Sequence, residues 1–141
     1  MLMPDVNVLI YAHRAESTDH TRYAIWLREL AESDEPFALS ELVMTGFLRI
    51  VTAPSPFKPP STLTEAFGFL DRLSNRPHAR IVRPGPRHWS IFRQLCESTN
   101  VRGKLIADAA HAALAIELGC EWVTADTDFA RFSPSLRWRH L

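Results

Sequence analysis

Short apolar runs alternate along this chain with stretches of helical period. Leu2 to Pro4 reads as a short strand, and Val6 to His13 follows as a helix. Between residues 19 and 33, Tyr23, Trp26, Leu27 and Leu30 recur at the spacing of one buried helical face. Pro36 to Leu39 is strand-like. Ser40 precedes a helix over 41–52, where its hydroxyl suits an unpaired backbone N–H. Pro54, Pro56, Pro59 and Pro60 mark a loop between two helices. Residues 62–75 read as helical, with Leu63, Phe67, Leu70 and Leu73 on the buried face. Ala79 to Val82 is a strand, and Pro86 suits the first turn of a helix ending near Ser98. Leu105 to Leu118 is an alanine-rich helix with Gly119 in the usual closing position. Glu121 to Thr124 and Leu136 to Arg139 are the last strands. Strands alternating with helices predict an α/β fold, a parallel sheet covered on both faces.

At 141 residues, positions 1–141 fit one domain with a core of its own. No apolar stretch approaches the ~20 residues of a membrane span, and Asp5 follows no basic segment of a signal peptide. Two cysteines, Cys96 and Cys120, are too few for a disulfide scaffold and point to a reducing cytoplasm. The formal net charge is zero, but it is unevenly spread. Residues 1–71 hold 10 acids and 5 bases; residues 72–141 hold 6 acids and 11 bases. Arg72, Arg76, Arg80, Arg83, Arg87 and Arg93 fall in a stretch without an acid. Such polarity fits either solvated helix faces or a surface for phosphates or an acidic partner.

Acids stand at four places where a core would put apolar residues. Asp5 ends the first strand, Glu41 follows the second, and Asp126 and Asp128 follow Glu-Trp-Val-Thr. Asp108 interrupts Leu-Ile-Ala-Asp-Ala-Ala on a helix with few other charges. In open α/β sheets the ligand crevice lies beyond the carboxyl ends of the strands. Each acid also has a local reading. Asp5 suits a helix N-cap, Glu41 suits the positive end of a helix dipole, and Asp128 suits a cap on the turn around Phe129. Asp108 has only Lys104 at helical spacing, a pair worth a few tenths of a kcal/mol. Four carboxylates about 5 Å apart repel by roughly 3 kcal/mol per pair, or ~20 kcal/mol in all. That exceeds the stability of an ordinary domain, so a converged cluster needs protons or a cation. Oxygen ligands select hard cations such as Mg²⁺ or Mn²⁺.

Other chemistry finds little support. Five scattered glycines form no phosphate-cradling loop, and the six histidines form no zinc pair. His111 follows Asp108 by three residues and reads as a structural histidine at the edge of the site.

With these residues in view, the chain resembles a PIN domain, of the kind found in VapC-type toxin ribonucleases. Asp5-Val6-Asn7-Val8-Leu9-Ile10 is similar to the first acidic motif, and Ser40-Glu41 with Leu42 to Ile50 to the second. Asp108-Ala109-Ala110-His111-Ala112-Ala113-Leu114-Ala115 is similar to the third, and Thr124-Ala125-Asp126-Thr127-Asp128-Phe129 to the fourth. All four stand in order across nearly the whole chain. The resemblance implies a parallel sheet of four or five strands flanked by helices. It implies Asp5, Glu41, Asp108 and Asp126 around one or two Mg²⁺ or Mn²⁺ ions, with Asp128 secondary. Asn7 and Thr124 would hold the carboxylates. The implied activity is cleavage of RNA by metal-activated water, with no histidine base. The implied partners are a small VapB-type antitoxin and a second copy of the chain. Arg80, Arg83, Arg87 and Arg93 are the candidate contacts to RNA or antitoxin.

Two other readings stand beside this one. A phosphatase of the haloacid-dehalogenase kind also opens with an acid after its first strand, but in a D-x-D pattern; here Asn7 occupies the second position. A silent PIN domain that only binds RNA or a partner would not need the complete acid set.

Overall fold

The computed structural model describes residues 1–141. Its strands are β1 (Leu2–Pro4), β2 (Phe37–Ser40), β3 (Ala79–Val82), β4 (Glu121–Thr124) and β5 (Trp138–His140). They pair in the order β3-β2-β1-β4-β5, every pair parallel. Six helices intervene: α1 (Val6–His13), α2 (His20–Glu32), α3 (Glu41–Val51), α4 (Leu63–Ser74), α5 (His88–Thr99) and α6 (Leu105–Leu118). Leu2 lies beside both Phe37 and Glu121. This register brings the carboxyl ends of β1, β2 and β4 to one edge, where the first, second and fourth acidic motifs begin.

The central strands are apolar on both faces, as a covered parallel sheet requires. Met3, Phe37, Ala38, Leu39, Trp122 and Val123 are buried. The α6 alanines 109, 112, 113 and 115 are fully buried, and their small side chains let the helix pack close against its neighbours. No helix is long and apolar enough to cross a membrane.

Local rules account for most boundaries. Asp5 caps α1 by accepting from the Val6 amide, and Ser40 caps α3 by accepting from Leu42 and Val43. Thr62 and Glu65 form a reciprocal capping box at α4. Gly119 ends α6 at φ +66°, a left-handed conformation that suits glycine.

Four details differ from the sequence reading. The buried face of α4 is Ala66, Leu70 and Leu73, while Leu63 and Phe67 are 61% and 49% exposed. Leu63 is the first residue after the cap and overhangs the core. The helix α5 starts at His88, not Pro86, because the Glu117 carboxylate holds the Gly85 and Arg87 amides in a preceding turn. The last strand sits later, at Trp138–His140. Asp126 rather than Asp128 caps the 3-10 turn over Thr127–Phe132, accepting from the Asp128 amide at 2.8 Å.

Candidate active site

A cleft of about 350 Å³ opens at the carboxyl edge of the sheet. Its floor and walls include Asp5, Asn7, Asp108, His111, Asp126 and Asp128. Asp5 arrives from the end of β1, and its backbone N–H still donates to Val123 of β4 at 2.8 Å. Asp108 arrives from the first turn of α6, and Asp126 and Asp128 from the turn after β4.

Thr124 is the hub that joins two of these acids. Its hydroxyl donates to Asp5 Oδ2 at 2.6 Å and accepts from the Asp126 amide at 2.9 Å. The Asn7 amide donates to the same hydroxyl at 3.4 Å, and its oxygen accepts from the Ala125 backbone at 3.2 Å. Asn7 therefore steadies Thr124 and the β4 turn rather than a carboxylate directly.

The electrostatics are those of a crowded acidic pocket. Burial pushes the Asp5 carboxyl up to about 7; the Thr124 hydroxyl and Val6 amide pull it partly back, and Asp108 and Asp126 add repulsion. Burial, then Asp126, also raises Asp108, while Lys104 and Arg131 oppose the shift. Burial lowers His111 to about 4, so the imidazole is neutral at ordinary pH. Its ring stacks on Trp122, with centroids 5.5 Å apart, and its Nδ1 is buried without a partner.

Glu41 does not line this cleft. It stands at the start of α3 beside a separate groove with Met44, Leu48, Phe67 and Ile81, and Arg83 donates to its Oε1 at 2.5 Å. No three His, Cys, Asp or Glu side chains close into a ready-made coordination group. The donor set nevertheless fits a hard divalent cation. The cleft gathers the carboxylates of Asp5, Asp108, Asp126 and Asp128, and Asp108 and Asp126 both oppose the ionisation of the buried Asp5.

The arginine stretch is less free than its composition suggests. Arg80 donates to the carbonyls of Pro77 and Ala79, and Arg87 to that of Glu117. Arg83 pairs with Glu41 and Arg93 with Glu97. The cations that do line the cleft are Arg49 of α3 and Lys104, which precedes α6. The spacing of Lys104 to Asp108 hints at one of them; nothing in the local pattern marks Arg49.

Comparisons with known proteins place the chain in a family. The PIN domain family model matches residues 2–133. Ribonuclease VapC43 of Mycobacterium tuberculosis is 46% identical over 140 residues, covering 99% of this chain and 95% of that protein. Ribonuclease VapC25 of the same species is 40% identical over 133 residues, covering 94% of each. Among solved structures, VapBC2 from Rickettsia felis bound to a promoter DNA fragment superimposes with a TM-score of 0.72 at 20% identity, covering 99% of this chain and 97% of that one. By family model, by identity over nearly its full length and by fold, this chain belongs to the PIN-domain family and, within it, to the VapC ribonucleases.

Proposed function

We propose that residues 1–141 act as a single PIN domain that hydrolyses RNA phosphodiester bonds with Mg²⁺ or Mn²⁺, as the toxin of a toxin–antitoxin pair. The observation that carries this reading is the buried Asp5 carboxylate tied through Thr124 to Asp126, in one cleft with Asp108. Asp5, Asp108 and Asp126 are the residues that would hold one or two ions, with Asp128 in support. Glu41 joins them only if Arg83 releases it. When bound, such an ion makes water more acidic and offsets charge on the phosphate. The chain's own residues do the rest. Thr124 fixes the orientation of Asp5, Asn7 fixes Thr124, and neutral His111 brings no positive charge to the cleft. A VapB-type antitoxin is the proposed partner, and a homodimer the proposed assembly.

The phosphatase reading lacks its general acid, because the second position of the D-x-D pattern is Asn7, whose side-chain amide also bonds Thr124 and Ala125 within the fold. Product ends separate the remaining mechanisms. Water attack with loss of the 3′-oxygen leaves a 5′-phosphate, whereas attack by the RNA 2′-hydroxyl leaves a cyclic phosphate. We expect fragments that a 5′-phosphate-dependent ligase accepts, no cleavage in excess chelator, and recovery with Mg²⁺ or Mn²⁺ but poor recovery with Ca²⁺. Calcium tolerates a loose shell at longer bonds, whereas magnesium imposes a tight octahedron. Cyclic-phosphate ends or full activity in chelator overturn the metal reading. RNA that stays intact under every metal condition favours the silent domain.

A further inference from the structure

RNA is a polyanion, yet this chain has a formal net charge of zero and an active cleft floored by carboxylates. Zero net charge gives RNA no net attraction, so cations placed at the cleft itself matter most for capture. The four arginines singled out by composition hold internal acceptors. Arg49 and Lys104 differ in two respects. Both line the acidic cleft, and neither takes part in any ion pair of the molecule. They come from different walls: Arg49 from the last turn of α3, Lys104 from the residue before α6. Gly46 helps set the first wall. A Cβ there would stand 3.1 Å from Val6 Cγ2, so α3 approaches α1 closely and carries Arg49 to the rim. Val6, Ile10, Ile50 and Leu105 line the same cleft and supply apolar surface suited to ribose and base.

Resting on the ribonuclease reading above, we propose that Arg49 and Lys104 are substrate-positioning residues that grip the backbone phosphates on either side of the scissile one in single-stranded RNA and present that phosphodiester to the acids. Both side chains are exposed, so their removal leaves the core untouched. A single strand is the fitting substrate, because its backbone bends into a cleft of this size and its bases are free to meet the apolar rim.

The test is the salt dependence of binding to a fluorescent single-stranded RNA oligonucleotide. It is measured in the Asp108→Asn background to prevent cleavage, with steady-state cleavage followed separately in the otherwise unchanged chain. Arg49→Ala and Lys104→Ala should each weaken binding several-fold and flatten the log–log salt slope by about 0.7, one phosphate contact on a single strand. Each should raise KM far more than it lowers kcat. Arg49→Lys and Lys104→Arg should restore the slope, and Arg22→Ala on α2 should leave it unchanged. Unaltered slopes and KM in both alanine variants, in a protein that still cleaves RNA, overturn this proposal and leave the ribonuclease reading standing. An unsubstituted chain that neither binds nor cleaves RNA overturns the ribonuclease reading itself.

Discussion

At the scale of single residues, Asp108 and Asp5 are both acids whose ionisation the fold opposes, but they occupy different positions. Asp108 is half-buried with no hydrogen-bond partner holding its carboxylate, and burial and Asp126 raise its pKa. Replacing it with asparagine removes charge without removing a needed acceptor. Asp108→Asn should therefore abolish cleavage while leaving the melting temperature in chelator equal or slightly higher. A clear loss of stability in chelator would make Asp108 a structural residue. Asp5 is buried and accepts from Val6 and Thr124. Its folded carboxyl, at about 7, lies above the ordinary 3.8. The native state thus holds a proton that the unfolded chain has lost, so metal-free stability falls as pH rises between those values. The loss amounts to about 4 kcal/mol when the window is fully crossed. His111 works in the opposite sense. Its folded value of about 4 lies below 6.5, so its contribution is lost as pH falls through that window and partly masks the Asp5 slope. The difference in unfolding free energy between Asp5→Asn and the unsubstituted chain isolates the Asp5 term. Measured by denaturant titration in chelator, it should shift in favour of the variant from pH 4 to pH 7. A difference that does not change with pH would show that burial leaves Asp5 unperturbed.

At the scale of elements, the turn before α5 is held by one side chain from a different helix. Glu117 accepts from the Gly85 and Arg87 amides, each at 3.0 Å, and its backbone carbonyl accepts from the Arg87 guanidinium. Losing two charge-assisted bonds whose donors are then open to water should cost about 2 kcal/mol in Glu117→Ala. Gly85→Ala should destabilise for the same reason, since its Cβ would stand 2.7 Å from Glu117 Oε1. In the double variant the second substitution should cost almost nothing, a coupling that thermal unfolding of all four proteins would reveal. Additive losses would place the clash elsewhere. This contact also marks the limit of what the chain discloses unaided. Strand and helix identities were legible because their signals are local: Ser40 as a cap, Gly119 as a stop, the alanine run of α6. The start of α5 was not, because it is set by a carboxylate 30 or more residues away. The buried face of α4 was misjudged at Leu63 and Phe67 because periodicity gives the spacing of a face but not its direction. At the site, Asp5, Asp108 and Asp126 stood out as acids amid apolar residues. Arg49 had no such contrast, and the Arg83 contact that draws Glu41 aside joins two elements 42 residues apart.

At the scale of the whole molecule, the proposed metal in the acidic cleft would make global stability a gauge of its binding. A ligand that binds only the folded chain stabilises it by about 2.7 kcal/mol at a hundredfold excess over Kd. A domain of this length gains roughly 4 °C in Tm per kcal/mol, so saturation with Mg²⁺ should raise Tm by about 10 °C from the value in chelator. The gain has two sources that act together. The ion would form its own bonds to carboxylate oxygens, and it would neutralise the repulsion that Asp5, Asp108 and Asp126 exert on one another. Coordination requires the ionised form of each acid, so protons compete with the metal. With Asp5 held near 7, most of its carboxyl is protonated at pH 5.5 and most is ionised at pH 8. The Mg²⁺-induced rise should accordingly be large at pH 8 and much smaller at pH 5.5, and Asp108→Asn should reduce it at both. Differential scanning fluorimetry across a Mg²⁺ series at the two pH values measures all of this without reference to RNA. Equal shifts at both pH values would exclude Asp5 as a ligand, and equal shifts with and without Asp108 would place the ion outside the cleft.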